Sequence, residues 1–114
     1  MVRIVPTDDR EMLVALSQDP LHYAAPSGRE FLGLVRLMDA AVAAAPEARA
    51  PTLILHGAKD QVVPPAASRA LAPRLGGPTS LEEPAEAWHM LLRDRAAAAV
   101  HARAADFILG EDGT

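Results

Sequence analysis

Cysteine is absent from this chain, and aromatic residues make up only 4% of it. The first absence excludes disulfides and thiolate metal sites and agrees with a reducing compartment. The net charge is −4, which argues against a nucleic-acid backbone as the main partner. No apolar run approaches the roughly 20 residues of a membrane helix, and the first ten residues lack the apolar segment of a signal peptide. We therefore expect a cytoplasmic protein that does not bind nucleic acid.

The residues that are present suit a small core rich in aliphatic side chains. The chain has 114 residues, of which 50% are hydrophobic, so it is one domain or less. Its ten prolines and seven glycines divide it into short segments. These segments predict an α/β chain.

Two capping patterns predict helices in the first half. Asp8 with Glu11 starts a short helix, which the Asp19-Pro20 step ends. Ser27 with Glu30 starts a longer one, over residues 29 to 45. Its apolar residues recur every three or four positions, which predicts an amphipathic helix whose apolar stripe faces the core; they are Phe31, Leu34, Val35, Met38, Ala41, Val42 and Ala45.

The second half alternates between strand and helix patterns. Residues 51–57 predict a buried parallel strand, and residues 65–75 predict a helix. Residues 79–82 predict a weaker strand, because two adjacent glutamates, Glu82 and Glu83, suit only an edge. Asp94 is predicted to cap a last helix that exits at Gly110, with an inner face formed by Ala97, Val100, Ala104, Phe107 and Ile108. Because two strands cannot make a covered parallel sheet alone, the sequence resembles one end of a larger α/β domain.

Two residues that could carry chemistry follow the two predicted strands. Asp60 follows the first and His89 the second, and the carboxyl ends of parallel strands meet at one edge of the sheet. A carboxylate that accepts the imidazole Nδ1–H leaves Nε2 as a general base. Taken alone, Asp60 is more often a solvated turn residue and His89 a core histidine. No spacing among the four histidines resembles a zinc site, so we expect no metal and no cofactor.

The stretches around these two residues resemble a known family. PTLILHGAKDQVVP, residues 51–64, is similar to the penultimate strand and acid loop of α/β-hydrolases, and AWHMLLRD, residues 87–94, is similar to their histidine loop. REMLVALSQDPL, residues 10–21, and GLVRLMDAA, residues 33–41, resemble the end of the cap and the following helix in bacterial lysophospholipases and monoacylglycerol lipases, within the serine aminopeptidase-type hydrolases.

The resemblance implies a fold and a mechanism. It implies the C-terminal portion of an α/β-hydrolase fold, with two terminal parallel strands and flanking helices. Residues 1–50 would be the end of the cap and the following helix, and residues 51–114 the C-terminal part of the core. Asp60 and His89 would be the acid and the base of a serine hydrolase of lipid-like carboxylic esters. The apolar stripe of residues 31–42 would then have a second interpretation, as the wall of an acyl-chain pocket.

One part of the family pattern is missing from the sequence. The nucleophile lies on a G-x-S-x-G turn ahead of the acid and the histidine, and none of Ser17, Ser27, Ser68 and Ser80 stands in that motif. His56-Gly57 is similar to the oxyanion His-Gly pair, although a strand exit that needs a small residue explains it better. We expect a fragment, or a chain completed by another, that is inactive alone.

A second hypothesis gives the chain a non-catalytic function. The chain could be an interaction module that self-associates through the apolar faces of its helices at residues 29–45 and 95–109. A G-x-S-x-G sequence in the DNA upstream of Met1 would favour the hydrolase, and non-coding DNA there would favour the module.

Overall fold

A computed structural model describes residues 4–22 and 26–110 of the chain. It contains four α-helices and two β-strands in this part: α1 (Arg10–Gln18), α2 (Gly28–Ala44), β1 (Thr52–Leu55), α3 (Ala66–Leu71), β2 (Thr79–Glu82) and α4 (Ala97–Leu109). Short 3-10 turns, Ala45–Glu47 and Ala72–Arg74, extend α2 and α3. The predicted order of helices and strands is thus observed.

The first two helices begin at side-chain caps. The Asp9 carboxylate, rather than Asp8, accepts hydrogen bonds from the backbone N–H groups of Glu11 and Met12 and starts α1. The prediction was therefore wrong by one residue. The predicted capping box of α2 is present, since Ser27 Oγ accepts from Glu30 N–H and Ser27 N–H donates to the Glu30 carboxylate.

The apolar stripe of α2 is exposed instead of forming a core. None of the helix residues is buried, and the exposed side chains of the stripe are Phe31, Leu34, Val35, Met38 and Val42. An amphipathic helix buries its stripe only where another element covers it, and the described residues supply no such cover. The core prediction was wrong for the stripe within α2 and is confirmed only at its last residue, Ala45, which lies in the turn after the helix and is 4% exposed.

The two strands form one parallel pair that positions the loops after them. β1 pairs with β2 in the register Thr52 to Thr79 and Leu55 to Glu82, and α3 provides the crossover. A helical crossover is the usual way to join parallel strands. The loops that follow β1 and β2 therefore leave from the same edge of the sheet.

The glutamates that weakened the prediction of β2 have basic partners on the helices. Arg103 of α4 donates from Nε to Glu82 Oε1 at 2.8 Å. Arg69 of α3 binds Glu83 in bidentate fashion, at 2.7 and 2.5 Å. These contacts explain how a strand tolerates adjacent carboxylates, although exposed ion pairs add little stability.

The last helix buries one part of its predicted inner face. Val100 is 2% exposed, whereas Ile108 is 79% exposed, so the prediction was wrong for Ile108. Gly110 ends α4 with a φ of 72°, a left-handed conformation that glycine adopts without strain. Across the described residues, no helix combines the length and apolar character that a membrane crossing requires.

Candidate active site

The loop after β1 folds around the Asp60 carboxylate. Asp60 Oδ1 accepts hydrogen bonds from the backbone N–H groups of Val62 at 2.8 Å and Val63 at 2.9 Å. Asp60 N–H donates to Gly57 O at 3.0 Å, which closes the turn before it. The side chain is 5% exposed. Oδ1 is thus held by backbone groups of its own loop, and Oδ2 remains available to residues outside residues 60–63.

The loop after β2 brings His89 to that second oxygen. Nδ1 of His89 lies 2.9 Å from Asp60 Oδ2, although the residues are 29 positions apart in the sequence. An ionised carboxylate can only accept, so Nδ1 carries the proton and a neutral ring keeps the lone pair on Nε2. The ring is 39% exposed, and its Nε2 makes no hydrogen bond with the part of the chain that the structure describes. An exposed nitrogen of this kind can accept a proton from a reactant.

Hydrogen bonding keeps the Asp60 carboxyl ionised. Burial raises the pKa of Asp60, but hydrogen bonds from Val63 N–H, the His89 ring and Val62 N–H, with the charge of protonated His89, outweigh burial and leave the pKa below its ordinary value. The carboxylate therefore stabilises the fold above its unfolded pKa, about 4. That contribution is lost as the pH falls through the lower folded pKa.

Gly57 lets the acid loop and the histidine loop approach each other. A Cβ at Gly57 would lie 2.3 Å from Trp88 O and 2.6 Å from Ala87 O, which are backbone atoms that cannot move aside freely. The adjacent backbone continues the strand pairing, since Lys59 N–H donates to Ala87 O at 3.0 Å. The His56-Gly57 pair is therefore explained by a strand exit that requires a small residue.

A Gly57→Ala substitution is expected to destabilise the chain by about 3 kcal/mol, because the added methyl group forces the two loops apart. Urea unfolding of both proteins measures the difference. Gly33→Ala is the matched control: a Cβ at Gly33 meets nothing within 4 Å, and alanine favours the helix by about 1 kcal/mol. Equal stability of the Gly57→Ala variant and the natural chain would contradict this close approach.

A buried aspartate holds the histidine loop from behind. Asp94, predicted to cap α4, is 5% exposed. Its Oδ2 accepts from Trp88 N–H at 2.7 Å and its Oδ1 from Ala96 N–H at 3.0 Å. The N-cap position of α4 is Ala96, which makes no side-chain cap, so the prediction that Asp94 caps this helix was wrong. Asp94 therefore orients the backbone next to His89 in addition to binding the helix start, a role that the sequence did not indicate.

The N-terminal segment contacts both loops. Val5 N–H donates to the side chain of Gln61 at 3.2 Å. Pro6 O accepts from Met90 N–H at 2.9 Å, next to His89 in the sequence. Asp8 Oδ1, which does not cap α1, accepts from Arg95 N–H at 3.0 Å. No sequence pattern pointed to these contacts, because they join segments far apart in the chain.

Three other polar residues, Lys59, His22 and His101, lie outside the pair of Asp60 and His89. Lys59 forms an ion pair with Glu86 rather than with its neighbour Asp60. His22 and His101 are exposed, and His101 Nε2 lies 2.9 Å from Leu92 O. Within residues 4–22 and 26–110, no group of three or more histidine, cysteine, aspartate or glutamate side chains is arranged to hold a metal ion.

His56 contacts the same carboxylate oxygen as His89. Its Nε2 lies 3.2 Å from Asp60 Oδ2 and 3.0 Å from Val63 O, and its Nδ1 lies 2.6 Å from Ser68 Oγ. The imidazole side chain is 11% exposed. The sequence offered only a His-Gly pair here, and the i to i+4 spacing of His56 and Asp60 is the one signal that could have suggested the contact.

Most of the chain matches a known family. The model of the family described as serine aminopeptidase, S33, matches residues 3–96, which include both loops. No curated protein matches the chain. Members of this family are hydrolases with an α/β-hydrolase fold, so the parallel pair with its helices is consistent with part of that fold. The expectation of an α/β-hydrolase is confirmed at this level.

Proposed function

Because the chain belongs to the serine aminopeptidase S33 family of hydrolases, we propose that Asp60 and His89 are the acid and base of a Ser-His-Asp carboxylic ester hydrolase. The observation that carries the proposal is the 2.9 Å contact of Asp60 Oδ2 with His89 Nδ1. The exposed ring adds support, because a base must reach both the nucleophile and the substrate.

Each group has one task in this mechanism. His89 Nε2 removes the proton of a serine hydroxyl as the serine oxygen attacks the ester carbonyl, and Asp60 stabilises the imidazolium that forms. The tetrahedral intermediate collapses to an acyl-enzyme while His89 returns the proton to the leaving alcohol. Water, deprotonated by the same nitrogen, then attacks the acyl-enzyme, and His89 returns that proton to the serine oxygen as the carboxylic acid leaves. Asp60 stays ionised throughout, in keeping with its lowered pKa.

The nucleophile in this proposal comes from polypeptide outside residues 1–114. The sequence holds no G-x-S-x-G turn. Two of its serines are occupied by local contacts, since Ser17 Oγ donates to Val14 O and Ser27 belongs to the capping box. Oxyanion donors would come from the same outside segment, so the pair described here supplies the acid and the base alone.

The proposed substrate is a lysophospholipid or a monoacylglycerol. The support is the resemblance of residues 10–21 and 33–41 to lipases of that type, and the exposed apolar side chains of α2. In this proposal residues 1–50 are the end of the cap and the following helix, and residues 51–114 are the C-terminal part of the core.

The test joins the chain to a nucleophile. The N-terminal part of a family member, which carries the G-x-S-x-G serine, is cut just before the position that aligns with residue 3. Residues 1–114 of this chain are then fused to its C-terminal end. We call this fusion protein the joined hydrolase. It is expected to hydrolyse monoacylglycerols and lysophospholipids and to react at its G-x-S-x-G serine with a fluorophosphonate. The 114-residue chain alone is expected to do neither, because it has no activated nucleophile.

Two outcomes would change the proposal. Turnover of aminoacyl amides but not of esters would contradict the ester substrate and leave the acid and base in place. A folded joined hydrolase without any turnover would contradict the roles of Asp60 and His89. If the joined hydrolase showed no turnover and the 114-residue chain were a stable homodimer, a second candidate function would be favoured. That candidate is a non-catalytic module that pairs through the exposed face of α2.

A further inference from the structure

Asp60 Oδ2 has a second imidazole partner that the proposed mechanism does not use. His89 Nδ1 lies 2.9 Å from this oxygen and His56 Nε2 lies 3.2 Å from it. The two histidines differ in their surroundings, since the side chain of His89 is 39% exposed and that of His56 is 11% exposed. His56 is therefore enclosed beside the carboxylate, while His89 is open to a reactant.

The neighbours of His56 fix which of its nitrogens carries the proton. Nε2 faces Val63 O at 3.0 Å and the Asp60 carboxylate at 3.2 Å, and both groups only accept hydrogen bonds. Nε2 must therefore be protonated. Nδ1 lies 2.6 Å from the Ser68 hydroxyl, which can donate. The contacts are satisfied together when Ser68 O–H donates to Nδ1 and His56 is the neutral Nε2–H tautomer.

We infer that His56 and Ser68 are positioning residues that hold Asp60 Oδ2 in line with His89. Asp60 Oδ1 is fixed by N–H groups of its own loop, which leaves Oδ2 free to swing unless something outside the loop binds it. His56 is attached to the end of β1 and Ser68 to α3, so together they tie the carboxylate to the frame of the fold. This inference rests on the proposed function of the Asp60 and His89 pair.

The same three contacts do not make Ser68 a second nucleophile. In the arrangement that satisfies every acceptor, the Ser68 hydroxyl is the donor to Nδ1, and the Nε2–H of His56 is shared between Val63 O and Asp60. The enclosed His56 ring has no nitrogen available to transfer a proton to a leaving group. A fluorophosphonate is therefore expected not to label Ser68, and labelling there would overturn the inference.

The test uses NMR of the ¹⁵N-labelled 114-residue chain. The His56 nitrogen shifts are expected to report a proton on Nε2, and the Nδ1–H tautomer would contradict the inference. The solvent exchange of the His89 Nδ1–H proton reports its bond to Asp60. His56→Leu removes the hydrogen bond of His56 to Asp60, and Ser68→Ala removes that of Ser68 to His56. Each variant is expected to speed this exchange about tenfold, because the free energy of one hydrogen bond corresponds to about that ratio of rates.

Three variants separate positioning from general loss of stability. His56→Gln keeps an N–H donor and is expected to stay within about threefold of the natural exchange rate. Ser80→Ala removes an exposed serine, and Val100→Ala weakens the fold at a buried residue of α4. Ser80→Ala and Val100→Ala are both expected to speed the solvent exchange of the His89 Nδ1–H proton less than His56→Leu does. Equal acceleration by Val100→Ala at matched unfolding free energy would overturn the inference.

The joined hydrolase gives an independent measurement. Ser68→Ala and His56→Leu are expected to lower kcat about tenfold with KM unchanged, because in this inference both residues act through Asp60. Unchanged kcat and unchanged exchange in both variants would overturn the positioning role while the proposed function stands. Absence of the His89 Nδ1–H bond from the natural chain would instead remove both.

Discussion

Replacing His89 with alanine in the joined hydrolase is expected to lower kcat about a million-fold. The imidazole transfers a proton in every step of the proposed reaction, and hydrolases of this kind lose about that factor without their histidine. The contact of Nδ1 with Asp60 Oδ2 at 2.9 Å leaves Nε2 available for the transfer. Initial-rate kinetics with a monoacylglycerol substrate measure the change, and circular dichroism checks that the variant is folded.

His22→Ala is the matched control for this variant. His22 is also an exposed histidine, on the loop that follows α1, and it is expected to leave kcat and KM unchanged. A loss of less than about a hundred-fold in the folded His89→Ala variant would show that another group acts as the base. A similar loss of kcat in His89→Ala and His22→Ala would show that the assay responds to a general loss of folded protein.

Asp60→Asn is expected to lower kcat of the joined hydrolase about ten-thousand-fold while the protein stays folded. The asparagine Oδ1 can still accept from Val62 N–H and Val63 N–H, so the loop keeps its shape. The amide NH₂ then replaces Oδ2 and cannot accept from His89 Nδ1–H. The ring is forced into the other tautomer, with its proton on Nε2, where it cannot act as a base.

Asp39→Asn, on the exposed surface of α2, is the control for Asp60→Asn and is expected to behave as the natural sequence. The pH dependence of stability gives a second measurement. The lowered pKa of Asp60 contributes stability above about pH 4 that fades at lower pH, and Asp60→Asn is expected to flatten that part of the curve. An unchanged slope would show that Asp60 is not held in its ionised form by the fold.

Local patterns predicted the helices and strands well, because their causes lie within a few residues. The capping box of Ser27 and Glu30, the left-handed exit at Gly110 and the apolar run of β1 are each decided by neighbours in the chain. The start of α1 was misplaced by one residue since Asp8 and Asp9 are equivalent as caps in the sequence. In the structure Asp8 Oδ1 instead accepts from the distant Arg95 N–H.

Burial was predicted less well than secondary structure. The spacing of apolar residues in α2 correctly gave an amphipathic helix, yet periodicity does not say what covers the stripe. Phe31 is 60% exposed and Met38 is 54% exposed. The same limit applies to Ile108, which lies at the end of α4 beyond the elements that cover Val100.

The sequence by itself determined the two strand-loop units, and therefore that Asp60 and His89 follow neighbouring parallel strands. Tertiary structure decided what surrounds them: the second imidazole of His56, the Asp94 carboxylate behind the histidine loop and the N-terminal segment against Met90. The reason is physical. Strand patterns and turns depend on nearby residues, whereas hydrogen bonds between distant segments depend on how the whole chain packs, and no short window of sequence contains that information.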